Sequence, residues 1–193
     1  MPPTVTRLAT LDDAEELAAC LIRNRAFLGP WEPVRGDAYY TADGQRAVLA
    51  ENLDLYARGV AVPLLIVDDG GRITGRLHVN NIVRGPFRSA TLGYWVAREA
   101  GGRGLATAAV ADAVRLAFGD LGLHRLEAGT LLHNVASQTV LRRNGFTPFG
   151  VAPRYLRIAG RWQDHVLFQL LNDGVEDGGP READGAGASG NAG

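Results

Sequence analysis

Three glycines and an arginine, Gly101-Gly102-Arg103-Gly104, stand directly before a run of small residues, Leu105-Ala106-Thr107-Ala108-Ala109-Val110. Glycine is the poorest ordinary helix residue and alanine the best, so this stretch reads as a loop feeding a helix start. The first turn of a helix carries backbone N–H groups without an intrahelical partner, and glycines let a ligand come close to them. Such a loop can hold an anion, with the helix dipole adding to the backbone hydrogen bonds. It can equally be a tight turn. A nucleotide-triphosphate loop would require Gly-Lys-Ser/Thr, and the chain contains no lysine. A dinucleotide fold would want its first strand near the N-terminus and a longer glycine fingerprint. A pyrophosphate bound in mid-chain remains.

The surrounding elements must hold that loop in place. Val5 to Leu11 can form a first strand. Asp12 and Asp13, each followed three residues later by Glu15 and Glu16, predict overlapping capping boxes for a helix that carries Leu17, Cys20, Leu21 and Asn24 at helical spacing. Gly29, Pro30, Pro33 and Gly36 punctuate a loop from Phe27 to Gly36, and a second helix is expected from about 42 to 58. Val62–Val67 and Ile73–Val83 read as strands joined through Asp68-Asp69-Gly70-Gly71. Ala90–Ala97 is the next strand and leads into the glycine loop. A helix over 105–118, a strand over 124–132 and a helix over 135–143 ended by Asn144-Gly145 follow. Two last strands, 149–158 and 161–171, turn at Ala159-Gly160. The order βααβββαβαββ is that of an α/β domain with a mixed sheet, spanning residues 4–171. From Asn172 to Gly193 the chain is rich in Gly, Ala and acids and poor in large apolar side chains, which predicts a disordered tail.

Strand, glycine loop, helix, strand, Asn134-x-x-Ser137, helix and Asn144-Gly145-Phe146 together resemble the GCN5-related N-acetyltransferase (GNAT) superfamily. Its motif Arg/Gln-x-x-Gly-x-Gly/Ala maps onto Gly101-Gly102-Arg103-Gly104-Leu105-Ala106, with Gly101 a departure at the first position. Four further stretches are similar to the RimJ/RimL branch, closest to its ribosomal-protein alanine-acetylating type. They are 24–35 (NRAFLGPWEPVR), 81–85 (NIVRG), 92–94 (LGY) and 160–167 (GRWQDHVL). The resemblance implies a mixed, mostly antiparallel sheet flanked by helices. It implies acetyl-CoA as cosubstrate, no metal, and the N-terminal amine of a ribosomal protein as acceptor.

It also implies roles. The amides of Gly102, Arg103, Gly104, Leu105, Ala106 and Thr107 would hold the pyrophosphate. Tyr94, Trp95 and Val96 would run beside the pantetheine arm like a paired strand. Asn134 would bond the arm near the thioester while also capping the following helix. Many members place a tyrosine seven residues after that asparagine. Here the position is Leu141, and Ser137 is the substitute donor to the departing thiolate. Trp31, His78, Asn80 and Asn81 are candidates for contact with the acceptor, His78 and Asn80 on one strand face and Asn81 on the other.

A base need not be strong. An N-terminal amine has a pKa near 7.7–8 and a lysine amine one near 10.4, so deprotonation at pH 7 costs about 1 against about 4.6 kcal/mol. Glu32 can attract the ammonium and relay its proton, or simply face solvent. Glu127 is the second choice, more naturally paired with an arginine. His165 and Asp164 read as structural, and Arg142 and Arg143 as a solvated helix face.

Composition narrows the class. The 193 residues carry a formal net charge of −1, which offers no bulk attraction to nucleic acid. A lone cysteine, Cys20, allows no internal disulfide and reads as a buried thiol. No apolar run approaches the roughly 18 residues of a membrane span, and no secretory signal is legible. The expectation is a cytoplasmic protein, monomer or dimer, without membrane or metal. An acetyltransferase for a small-molecule amine and a non-catalytic acyl-CoA-binding or ribosome-associated module are the competing readings.

Overall fold

The computed structural model describes residues 4–174. Seven strands form one sheet: β1 (Thr6–Leu8), β2 (Val62–Val67), β3 (Ile73–Val83), β4 (Ser89–Val96), β5 (Arg125–Leu131), β6 (Thr147–Ile158) and β7 (Arg161–Leu171). Four helices accompany them: α1 (Ala14–Leu28), α2 (Ala42–Ala57), α3 (Leu105–Arg115) and α4 (Val135–Arg143). The spatial order is β1-β2-β3-β4-β5-β7-β6, and every neighbouring pair is antiparallel except β4–β5. Only that parallel pair needs a crossover helix, and α3 supplies it.

Strand alternation divides the core into two layers. Leu64, Ile66, Leu77, Val79, Leu92, Leu126 and Ala128 face Ala109, Val110 and Ala113 of α3 and Leu141 of α4. Leu65, Ile73, Trp95 and Ala97 face Leu17, Cys20 and Leu21 of α1 and Leu49 of α2. The sheet is therefore buried on both sides near β2–β4, as the unbroken apolar run Val62–Val67 requires. Cys20 is buried in the second layer, and burial pushes its thiol pKa up.

Several local expectations are corrected. The predicted Asp12/Glu15 and Asp13/Glu16 boxes are replaced by one between Thr10 and Asp13, which closes a 3-10 turn over 11–13. Thr10 N–H donates to Asp13 Oδ2 at 2.7 Å, and Arg7 forks onto the same carboxylate at 2.9 and 2.6 Å. Arg7 claims Asp13, while Glu16 reaches across to accept the Ile73 N–H at 2.7 Å. β1 stops at Leu8 instead of Leu11. Ala9 N–H still donates to Pro63 O, but proline has no N–H to return. α3 ends at Arg115 and passes into a π turn over Leu116–Asp120, where the expected helix ran to 118. β6 begins two residues earlier than the predicted 149. Asn172 is tied to the body: its N–H donates to His124 O and its amide to Leu123 O. The rest of the expected tail, 175–193, lies outside the described residues.

Candidate active site

β4 and β5 pair only from Ser89↔Arg125 to Leu92↔Ala128. Beyond that point β4 continues to Val96 against β3, and β5 continues to Leu131 against β7. The two strands part, leaving Gly93–Val96 on one wall of a gap and Gly129–Leu131 on the other. Ala97 N–H donates to Thr74 O at 2.7 Å, which fixes the phase of the β3–β4 ladder. Counting back by twos, Trp95 turns its backbone to β3, whereas Tyr94 and Val96 present theirs to the gap. Of the three residues expected along a paired ligand, two have free main-chain groups there. Trp95 contributes a side chain that is packed against α1.

The glycine loop closes one end. Gly102 and Gly104 have φ of +74° and +79°, conformations in which a side chain is strained, and Gly104 caps α3. Gly101 sits at −65°, so its departure from the motif leaves the backbone path intact. The first helical N–H to find a backbone acceptor is that of Ala108, on Gly104 O. Those of Gly102, Arg103, Gly104, Leu105, Ala106 and Thr107 have no backbone partner among the described residues. The loop is held from behind by Asn24, which is 1% exposed. Its Oδ1 accepts the Arg98 N–H at 2.8 Å, and its Nδ2 donates to Cys20 O at 3.0 Å.

The N-terminus of α4 closes the other side. Asn134 Oδ1 accepts the Ser137 N–H at 3.1 Å, capping the helix. Gln138, which is buried, donates to Leu131 O and Leu132 O and so ties the helix to the end of β5. Ser137 Oγ lies 2.8 Å from the Tyr94 hydroxyl, which is also 3.2 Å from Ser137 O. Burial pushes the Tyr94 phenol up to about 12, and the hydrogen bond shared with Ser137 opposes the rise. Leu141 is fully buried in the core.

Two clefts meet at this point. One runs past Phe27, Leu28, Val96 and Ala106 to Gly101 and Gly102. The other is bounded by Glu32, Arg76, His78, Asn80, Leu156 and His165. They share Trp31, Tyr94, Trp95, Asn134 and Ser137. The second cleft continues into a groove past Asn81, Thr91, Glu127 and Tyr155.

Glu32 and Trp31 arrive from the loop after α1. Trp31 stacks on His133, with ring centroids 5.4 Å apart. Burial raises the Glu32 carboxyl pKa, and Arg76 and Arg35 oppose the rise. His78 is driven down to about 3 by burial, with the Arg76 charge adding to it. Asn80 shares the second cleft with His78. Asn81 sits at φ +53° where the β3–β4 register breaks, and it donates to Thr91 Oγ1 at the mouth of the groove. Glu127 accepts from Arg125 Nε at 2.6 Å, the arginine pairing expected of it. His165 Nδ1 is 3.0 Å from Gln163 O, and Asp164 receives the Arg154 N–H. Arg143 is exposed, and Arg142 is exposed over the Phe168 ring. Sequence reasoning missed Arg76, which donates to the Tyr39 hydroxyl from the cleft wall. The Tyr94 phenol is missed as well, since the expected role of Tyr94 is that of its backbone. Strand alternation gives no signal for its contact with Ser137, which belongs to another element. Asn24 could have been found, since a polar residue on the apolar face of α1 needs a partner.

Residues 5–147 match the family described as acetyltransferase (GNAT) domain. The chain is 37% identical over 167 residues to the ribosomal protein uS5-alanine N-acetyltransferase of Escherichia coli, covering 86% of each. The structure of the ribosomal-protein-S5-alanine acetyltransferase of Vibrio fischeri superposes with a TM-score of 0.83 at 35% identity, over 88% of this chain and 93% of that one. RimJ of Mycobacterium smegmatis, solved with CoA-disulfide, gives 0.83 at 31% identity over 86% and 80%.

Proposed function

The chain belongs to the GNAT acetyltransferases, and we propose that it moves the acetyl group of acetyl-CoA to the N-terminal alanine of a ribosomal protein by direct attack in a ternary complex. The observation that carries this reading is the meeting of two clefts at Tyr94, Asn134 and Ser137, one leading to unpartnered amides and the other to the half-buried Glu32 carboxyl. The amides of residues 102–107 hold the pyrophosphate, with the α3 dipole behind them. The free main-chain edge at Tyr94 and Val96 pairs with the amide-bearing arm. Asn134 bonds that arm, and Ser137 faces the sulfur. When bound, acetyl-CoA supplies an activated acyl carbon.

The acceptor enters from the other face. Glu32 attracts the ammonium and takes its proton, directly or through water. Trp31, His78 and Asn80 line its approach. The cleft continues as a groove past Asn81 and Thr91, room that supports a polypeptide acceptor. A ribosomal acceptor places the reaction in the cytoplasm.

The purified protein, given acetyl-CoA and short peptides beginning with Ala, should release thiol and add one acetyl group at the N-terminus by mass spectrometry. Glu32→Gln should slow this turnover and remove its acid-side limb, which lies above the ordinary carboxylate range because burial has raised the pKa. Rapid acetylation of small amines with no thiol released by any peptide would overturn the acceptor assignment.

A further inference from the structure

We propose that the Tyr94 phenol is a second hydroxyl of the leaving-group site, holding Ser137 so that the serine proton points at the departing sulfur. The position seven residues after Asn134 is Leu141, which is fully buried and has nothing to donate. The fold brings a tyrosine to Ser137 from a different element. Tyr94 comes from β4, and its hydroxyl is 2.8 Å from Ser137 Oγ. Both side chains line both clefts.

A serine hydroxyl has one proton and rotates freely. With the Tyr94 O–H donating into Ser137 Oγ, one serine lone pair is occupied and the serine proton is left to face the cleft. The 2.8 Å contact to Oγ is shorter than the 3.2 Å contact to Ser137 O, whose oxygen also belongs to the helix ladder of α4. Two hydroxyls in series polarise each other, so the serine donates more strongly than it would alone.

Burial holds the phenol at about 12, so Tyr94 stays a donor across the working range. A free thiol titrates near 8.5, so outright transfer of the phenol proton is uphill by about 3.5 pH units. The pair therefore stabilises the sulfur by hydrogen bonding and gives up no proton. The amine lone pair forms the new N–C bond, the C–S bond breaks, and its electron pair goes to sulfur. The amine proton leaves through Glu32 or water. The thiolate, held by Ser137, takes a proton from solvent.

This rests on the first cleft being the acetyl-CoA site. Turnover on an Ala-initiated peptide and acetyl-CoA binding by calorimetry are measured for the native protein, Tyr94→Phe, Ser137→Ala and the double variant. Tyr94→Phe should lower kcat about 10-fold, the upper range of one hydrogen bond between neutral groups, with acetyl-CoA affinity within about two-fold. The double variant should be no slower than Ser137→Ala, because Tyr94 acts through the serine. A fluorinated tyrosine at 94 keeps the shape but is more acidic, so it should move the alkaline fall in kcat to lower pH. Failure of the native protein to bind acetyl-CoA overturns the cleft assignment and this proposal with it. Normal binding with unchanged turnover in Tyr94→Phe, losses that multiply in the double variant, or an unmoved alkaline limb overturns the proposal alone.

Discussion

His78 is expected to stay neutral far below the pH at which an ordinary imidazole charges. Its pKa is about 3, lowered by burial and by the Arg76 guanidinium beside it. In the unfolded chain it titrates near 6.5. Between those two values the unfolded state binds the extra proton, so stability falls as the pH drops from 6.5 toward 3. At pH 4.5 the unfolded state is favoured by about 2 pH units, or roughly 3 kcal/mol, against a typical total of about 5–15. Glu32 works the other way. Its raised pKa makes the folded state the better proton binder, so its contribution is present at low pH and fades as the pH rises. Comparing the native protein with His78→Gln cancels Glu32 and every other group. Urea unfolding at pH 7.5 and 4.5 should show the native protein losing roughly 3 kcal/mol more than the variant. With an m-value of about 2 kcal/mol per M, that is a midpoint difference near 1.5 M. The same neutrality bears on catalysis. Passing a proton from an α-amine near 7.7 to an imidazole at about 3 is uphill by about 6 kcal/mol, whereas a carboxyl raised above 4.5 asks for less than about 4.4. Glu32 is then the better carrier. Equal pH sensitivity in the two proteins, or an NMR midpoint for the His78 ring above pH 5, would refute the reasoning.

Gly104→Ala forces an alanine to φ +79°, at about 1–2 kcal/mol, and should weaken acetyl-CoA binding about 10-fold by calorimetry while the melting temperature shifts only a few degrees. Asn24→Ala removes the acceptor of the Arg98 N–H; a loss of about 1 kcal/mol by urea unfolding is expected, with weaker acetyl-CoA binding as the loop loosens. Gly93→Val places a branched side chain in the acceptor cleft, where an added Cβ meets only Asn80 Nδ2 at 3.9 Å. KM for the peptide should rise at least about 10-fold with acetyl-CoA affinity unchanged, and equal effects on both would place the cleft elsewhere.

What could be read in the residues was local. The glycine loop announces itself because two of its positions need left-handed backbone and because the helix after it begins with good helix formers. Strand alternation put His78 and Asn80 on one face, and the structure brings both to one cleft. The misses are contacts between different elements, and one local break in register. Arg7 outcompetes the helix for Asp13, and no spacing rule weighs a side chain from β1 against a cap. Tyr94 and Ser137 stand 43 residues apart, on elements whose approach depends on where β4 and β5 part. Asn81 escaped the alternation because the register breaks after Asn80.

The place where those strands part is itself written in side-chain size. The last paired residues are Leu92 and Ala128, and the next on each strand is glycine, Gly93 and Gly129. Neither has a positive φ, so backbone freedom does not explain them. Both line the second cleft and the groove beyond it. A side chain on Gly129 would meet Tyr155, Leu167 and His165 at 3.4–3.7 Å, and one on Gly93 would point into the opening. Two strands parting in a sheet leave main-chain donors and acceptors without ladder partners, to be met by water or by a ligand. A ligand edge carrying amides would pair with those at Tyr94 and Val96. The absent side chains at 93 and 129 keep the other face open for a second reactant. An opening that binds on one edge and admits from the opposite face suits a reaction joining two substrates. A chain that only bound acyl-CoA would have no use for the second opening, and larger residues at 93 and 129 would have closed it while adding buried apolar contact.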